Sequence, residues 1–193
     1  MPIVATLTGN KLYLSANDLR EKSWDLVEQI VNARFFPDYL IAVWRGGTVI
    51  GMYLHEVFKR LGLKMDHYPI KAGSYSGVRQ RSKVVLEGME VVLRRIKKNN
   101  YQNILLVDDV FETGHTLKVI KQRLPAVNVK IAVPYWKEDA NETELRPDFY
   151  VENLSKKTWI VFPHEFEGLS DEEIKIKGSV YDRLQRMKSI IQP

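Results

Sequence analysis

The chain has 193 residues, of which 45% are hydrophobic and 27% charged, with a net charge of +5 and no cysteine. That length suits one domain and that balance excludes a disordered or fibrous chain. The missing cysteine excludes disulfides, thiolate metal sites and cysteine nucleophiles, leaving oxygen and imidazole chemistry, while the positive charge suits an anionic ligand, a phosphorylated small molecule or a nucleic acid. No apolar run approaches the ~18 residues of a membrane span. The opening stretch MPIVATLTGNK lacks the basic and apolar regions of an export signal, so a cytoplasmic protein without membrane contact is expected.

Ser15 caps a predicted helix from about Asn17 to Ala33, which gathers Leu19, Leu26, Val27, Ile30 and Val31 on one face. Tyr39 to Val43 follows as a short buried strand. Arg45-Gly46-Gly47 then turns the chain into a second helix, about Thr48 to Leu61, stopped by Gly62. A strand near Met65 to Lys71 leads into AGSYSGVRQRSK, which has no apolar periodicity and reads as a long mobile loop of the kind that serves as a lid. EVVLRRIKKNN continues as a helix or a strand-helix mixture. Next come a strand from Asn103 to Val107, a glycine turn, a helix from Thr116 to Leu124 and a strand from about Val129 to Tyr135. Strands alternating with helices at these spacings predict an α/β fold, a mainly parallel sheet with helices on both faces, in a single domain over residues 1–193. The last third is less regular. It offers strands around Phe149–Val151 and Trp159–Val161 and a capping box at Ser170 and Glu173. A terminal helix over about 179–191, with Val180, Leu184, Met187 and Ile191 at helical spacing, is expected to dock on the domain, a partner subunit being the alternative.

In ILLVDDVFETGHT, Ile104 to Thr116, an apolar strand ends in two adjacent aspartates. Burying a carboxylate costs several kcal/mol unless it is paired or solvated, so Asp108-Asp109 ask for a cation or a polyol. Ligands of open α/β sheets bind beyond the carboxyl ends of the strands. The following helix presents free N–H groups and its positive dipole end there, and Thr113, Gly114 and Thr116 flank its start, an arrangement suited to a monophosphate, with His115 as a further donor. Two other readings are an ordinary strand-turn-helix junction and the acidic strand end of a P-loop nucleotide hydrolase. The second lacks its G-x-x-x-x-G-K-[ST] cradle anywhere in the chain.

LLVDDVFETGHT resembles the diphosphoribose-binding signature of the type I phosphoribosyltransferases, and other segments are similar to the 6-oxopurine branch of that family. The resemblance implies that Asp108 and Asp109 hold the ribose hydroxyls and metal-bound water. It also implies that Glu112, Thr113, Gly114, His115 and Thr116 wrap the 5′-phosphate of phosphoribosyl diphosphate. Mg²⁺ is the implied cofactor, with Asp108, Asp109 and Glu165 as its ligands. VWRGG resembles the loop that receives the leaving diphosphate, at Arg45, Gly46 and Gly47; a guanidinium and glycine amides suit that charge. The family often carries a non-proline cis peptide in this loop, expected here at Arg45-Gly46. A plain glycine turn or a fragment of an RNA-binding RGG tract are the other readings, and only one copy occurs.

Ser74-Tyr75 in GSYSG resembles the Ser-Tyr pair of a hood loop that closes over the reacting centre. Taken alone, the same stretch is equally a solvated basic loop with Arg79, Arg81 and Lys83. Lys137 in VPYWKEDA and Trp159-Ile160 in TWIVFPHEFEG resemble base-site elements of a small irregular hood region, largely within 136–170. By that resemblance Lys137 donates to an exocyclic oxygen, Trp159 stacks on the base and the Ile160 backbone meets its edge. Without it, a surface lysine and a core tryptophan remain open. Glu112 stands where the branch usually has aspartate, the base that takes the proton from N7; its extra methylene adds ~1.5 Å of reach. His164-Glu165 replaces a bulkier aromatic followed by aspartate. His55, His67 and His164 have no metal-ligand spacing and read as structural, and Arg94 to Lys98 as a solvated basic face.

The resemblance covers about residues 39 to 167 and implies Mg²⁺-dependent transfer of the phosphoribosyl group to N9 of hypoxanthine, guanine or xanthine, the reaction of purine salvage. Glu112 and Arg45 are then the catalytic groups. Lys137 is a pure donor, which suits a 6-oxo rather than a 6-amino group. Adenine is the alternative acceptor, given Glu112. A regulator of the same fold that senses nucleotides and binds nucleic acid is the alternative of another class, favoured by the net charge and disfavoured by the leaving-group loop. A homodimer is expected from the family; membrane and nucleic acid are not expected as partners.

Overall fold

The computed structural model describes residues 6–75 and 83–191. In chain order the elements are β1 (Thr6–Thr8), β2 (Lys11–Tyr13), α1 (Ala16–Asn32), β3 (Tyr39–Trp44), α2 (Gly46–Arg60), β4 (Asp66–Tyr75), β5 (Lys83–Glu87) and α3 (Met89–Asn99). They continue with β6 (Asn103–Val107), β7 (Val110–Phe111), α4 (His115–Arg123), β8 (Asn128–Trp136), β9 (Phe149–Asn153), β10 (Trp159–Val161), α5 (Asp171–Ile176) and α6 (Val180–Ile191). They fall into two compact units, one of Met1–Leu19 with Lys157–Pro193 and one of Arg20–Lys156. No helix among the described residues is long and apolar enough to cross a membrane.

The larger unit is built on a sheet in the order β5-β4-β3-β6-β8-β7, with β9 beside β8. All its pairings are parallel except β4 with β5. The strands YLIAVW and NILLV read as unbroken apolar runs because both their faces are covered. Tyr39, Ile41, Val43, Ile104, Leu106, Ile131 and Val133 share one core with Met89, Val92 and Ile96 of α3 and Leu117 and Ile120 of α4. The alternate set, Leu40, Ala42, Leu105 and Ala132, is buried too. α2 covers that second face so closely that a Cβ on Gly51 would meet Ala42 Cβ at 3.0 Å and Leu40 Cδ2 at 3.1 Å. Each such buried aliphatic side chain contributes about 1.5–3 kcal/mol, which makes this sheet a firm base for what leaves its ends. Ala42 lies opposite Val107, so β3 and β6 end within two residues of one another and deliver their following turns side by side.

The stretch read as a long loop, 72–83, is corrected at both ends. β4 continues to Tyr75 and β5 begins at Lys83, paired antiparallel from Lys71↔Glu87 to Tyr75↔Lys83. A backbone ladder holds this polar, glycine-containing segment, so no side-chain pattern announces it. Ser74 and Tyr75 therefore end a strand, and the rest of the expected hood loop, with Arg79 and Arg81, lies outside the described residues. EVVLRRIKKNN is helical throughout up to Asn99, the strand character lying upstream in β5.

The smaller unit carries a second sheet, β1-β2-β10. β1 and β2 form a hairpin across Gly9, whose φ of 62° suits glycine, and β2 runs parallel to β10 with Lys11 opposite Trp159. The first residues, unplaced by the sequence pattern, thus supply two of its three strands; three-residue strands are too short for alternation to register. The Ser170–Glu173 capping box forms as expected, Ser170 Oγ accepting from Glu173 N at 3.3 Å and Glu173 Oε2 from Ser170 N at 2.9 Å. The terminal helix docks by its first turns: Val180 and Leu184 are half-buried, Tyr181 OH and Gln185 Nε2 donate to Asp171 Oδ2 of α5 at 3.5 and 3.3 Å, and Met187 and Ile191 are 50% and 77% exposed. Helical periodicity marks a face without saying what covers it.

Candidate active site

The turns after β3 and β6 meet at the carboxyl edge of the large sheet. A Cβ on Gly46 would fall within bonding range of the Asp109 carboxylate, and one on Gly47 would lie 2.6 Å from Val107 O and 2.8 Å from Asp108 Cα. Glycine is therefore required by space at both positions, and the expected diphosphate loop runs against the tandem aspartates. Gly46 and Gly47 also open α2, so the positive end of that helix and the exposed Arg45 side chain belong to the same loop. Thr48 secures it by donating its N–H and its hydroxyl to Arg45 O at 3.2 and 2.6 Å. The cis peptide is Trp44-Arg45, one bond before the expected Arg45-Gly46.

Asp108 accepts from Asp109 N at 2.9 Å and donates its own N–H to Ala132 O at 3.3 Å. Burial, and after it the Asp109 carboxylate, push the Asp108 carboxyl well above the usual carboxylate range. Two acids so placed favour a cation between them and a ligand. Among the described residues, no group of three or more His, Asp or Glu side chains is gathered to hold a metal. Glu165, expected as a third ligand, has Oε2 accepting from Phe162 N at 3.1 Å within its own turn.

Beyond the aspartates, Gly114 has a φ of 80° and no room for a side chain, since a Cβ would meet Thr143 Oγ1 at 2.5 Å and the Phe111 ring at 2.8 Å. It caps α4, and Lys118 N donates to Gly114 O at 2.9 Å as the helix begins. The first N–H groups of a helix have no carbonyl partner within it, which leaves the turn around Thr113, His115 and Thr116 able to receive an anion. A segment the sequence did not flag braces this turn. Glu142 N donates to Thr113 O at 3.1 Å, the Glu142 carboxylate lies 2.8 Å from His115 Nε2, and Thr143 packs on Gly114. Its local signal is the Asn141 side chain accepting from Thr143 N at 2.9 Å, a turn any Asn-x-Thr can make.

Lys137 follows β8, whose Trp136 lies opposite Phe111, and its N–H donates to Phe111 O at 2.8 Å. Its ammonium lies 3.0 Å from Glu112 Oε1, the lysine side chain 8% exposed and the glutamate 47%. The surface-lysine reading is overturned; an amine is buried this deeply only with a partner. The expected proton acceptor and the expected donor to the base thus hold each other.

In the smaller unit Trp159 is 60% exposed while Ile160 is buried, so the core-tryptophan reading is overturned as well. Trp159 N donates to Asn10 O at 2.7 Å, and Lys11 Nζ lies 5.4 Å from the centre of its ring. Glu173 pairs with Lys11 and accepts from Tyr13 OH at 3.2 Å. The Lys11 bond, then the Ser170 N–H, hold the Glu173 carboxyl below its ordinary value. His164 stacks on Phe162 at 5.6 Å, as a structural histidine would.

A model of the phosphoribosyl transferase domain matches residues 11–171. The chain is 26% identical over 171 residues to the xanthine-guanine phosphoribosyltransferase of Idiomarina loihiensis, covering 86% of this chain and 97% of that one. Among solved structures, the purine phosphoribosyltransferase of Pyrococcus horikoshii is 24% identical with a TM-score of 0.61, covering 83% of this chain and 98% of its own. The Helicobacter pylori xanthine-guanine-hypoxanthine phosphoribosyltransferase is 22% identical with a TM-score of 0.64, covering 93% and 99%. Both structures share the fold described above. With strand-end aspartates, a glycine-opened helix against them and a family match over most of its length, this chain belongs to the phosphoribosyl transferase domain family.

Proposed function

We propose that the protein is a purine phosphoribosyltransferase that moves the phosphoribosyl group of phosphoribosyl diphosphate to N9 of a 6-oxopurine and releases diphosphate. The observation that carries this reading is the approach of Gly46 and Gly47 to Asp109 and Asp108, because it sets a leaving-group loop against a ribose-binding pair. A nucleotide sensor has no need of that pairing. The xanthine-guanine phosphoribosyltransferase relative supports the choice of purine.

The bond from ribose C1′ to diphosphate oxygen breaks as the bond to N9 forms, and positive charge develops on the ribose. The start of α2 and the Arg45 guanidinium receive the departing charge, while the start of α4 with Thr113, Gly114, His115 and Thr116 fixes the 5′-phosphate. The buried Asp108 carboxyl beside Asp109 fits a divalent cation; Asp108 and Asp109 would hold Mg²⁺, which would supply positive charge for the departing diphosphate. An entering purine separates Glu112 from Lys137: the lysine donates to the 6-oxo group and the glutamate takes the proton from N7. Trp159 offers an exposed face for stacking, and the Ile160 backbone meets the base edge. Ser74 and Tyr75 as a hood, a cytoplasmic location and a homodimeric state belong to the same proposal, on the strength of the family resemblance.

The test is diphosphate release from phosphoribosyl diphosphate and Mg²⁺ with hypoxanthine, guanine, xanthine, adenine, uracil and orotate supplied separately. Turnover with the oxopurines is the expected result. Turnover with adenine alone would overturn the roles of Lys137 and Glu112. No turnover with any base, together with salt-sensitive binding to nucleic acid, would overturn the enzyme itself.

A further inference from the structure

α5 begins at Asp171, where the family match ends, and the residue that caps its far end, Lys177, reaches back across the chain. Lys177 Nζ donates to Phe162 O at 2.7 Å and also to Glu165 O, and it lies 4.7 Å from the centre of the Phe166 ring. These carbonyls belong to the turn that leaves β10 directly after Trp159 and Ile160. The same turn is closed from the other side by Phe162 N donating to Glu165 Oε2 and by Glu165 N donating to Phe162 O at 3.1 Å each. One ammonium therefore gathers two carbonyls of a four-residue turn, Phe162 O, which also accepts from Glu165 N, and Glu165 O at the turn's far end. The other end of α5 acts on the same strand, since Glu173 holds Lys11, whose ammonium lies over the Trp159 ring.

We infer that Lys177 is a positioning residue for the purine: it touches no substrate, and by tying Phe162 and Glu165 it holds the backbone beyond Trp159 and Ile160 in the shape that receives the base. This rests on the purine reading above. A backbone held in its bound shape before the ligand arrives loses less freedom on binding, so the tie acts on affinity for the base and not on the phosphate side of the reaction.

The experiment compares steady-state kinetics of the full chain with Lys177→Met and Lys177→Arg, varying guanine or hypoxanthine and phosphoribosyl diphosphate in turn. Loss of two charged hydrogen bonds is expected to raise KM for the base about tenfold, with kcat and KM for phosphoribosyl diphosphate within about twofold. Arginine, which keeps charge and donors, is expected to recover most of the base affinity. An unchanged base KM, a parallel rise of both KM values with a lowered melting temperature, or no recovery with arginine would each overturn the inference. Should Lys177→Met not fold, Lys177→Gln decides by the same split between the two KM values. A wild-type chain that turns over no purine removes the underlying functional reading first, and is recognised before any variant is made.

Discussion

At the strand ends of the larger unit Gly46 and Gly47 lie so close to Asp109 and Asp108 that no side chain fits, whereas in the smaller unit Trp159 stands open and its neighbours are held by Lys11, Glu173 and Lys177. The first arrangement sets the main chain at Gly47 against the main chain of Val107 and Asp108, and Gly46 against the Asp109 side chain, at the end of a buried parallel sheet. The second is long side chains, Glu173 and the capping Lys177 of a six-residue helix and Lys11 of β2. Backbone contact has almost no tolerance, because interiors are packed to crystal density and transmit any intrusion. Side-chain ties yield by degrees. On the proposed function, the first kind of support suits a fixed phosphate site and the second an adjustable contact to the base.

The comparison breaks most sharply at Gly46. Gly46→Ala drives a methyl into the Asp109 carboxylate and is expected to lower kcat/KM more than about 100-fold, since a displacement near 1 Å at a reacting centre costs that much. Activity within tenfold of wild type, in a variant folded by circular dichroism, would mean that the two loops move apart easily. Trp159→Ala tests the other side: loss of one stacking face is expected to raise the base KM about tenfold and leave the phosphoribosyl diphosphate KM unchanged. An equal rise in both KM values would place the tryptophan outside the base site.

The smallest effect sharpens the comparison through stability. Because the folded state raises the Asp108 pKa, the protonated acid is favoured on folding. Stability from this group is greatest below the ordinary carboxylate value and is lost as pH rises toward the raised folded value, so without Mg²⁺ the acid costs stability as pH rises toward neutral. Asp108→Asn keeps the acceptor for Asp109 N and removes that cost. Its melting temperature at neutral pH without metal is expected to rise by about 2–4 °C. Added Mg²⁺ should stabilise the wild type more than the variant, and an Asp108→Asn chain that melts lower in metal-free buffer would contradict the assignment.

Several features were legible from residues alone. The apolar runs at Tyr39–Trp44 and Asn103–Val107, the strand at Trp159–Val161 and the Ser170–Glu173 capping box carry local signals, and the structure contains each. β1, β2 and the ends of β4 and β5 were not legible, because three-residue or polar strands show no alternation and are held by backbone ladders, local hairpins for β1-β2 and β4-β5 and the distant β10 for β2. Glu142 and Thr143, which brace the turn before α4, were missed because they lie 27 residues or more beyond His115 and Gly114.

Sequence by itself determined the chemistry: two aspartates after an apolar strand, glycines where a helix must open against them, and a Thr-Gly-x-Thr turn, each a matter of residue type and short spacing. Only the tertiary structure decided exposure and partnership. It buried Lys137 against Glu112, turned Trp159 outward, occupied Glu165 with Phe162 and set Lys177 on the turn beyond β10. Short spacing constrains what a segment can bind through its own backbone, but whether a charged or aromatic side chain is covered depends on surfaces contributed from far along the chain, and those come together only when the sheets form.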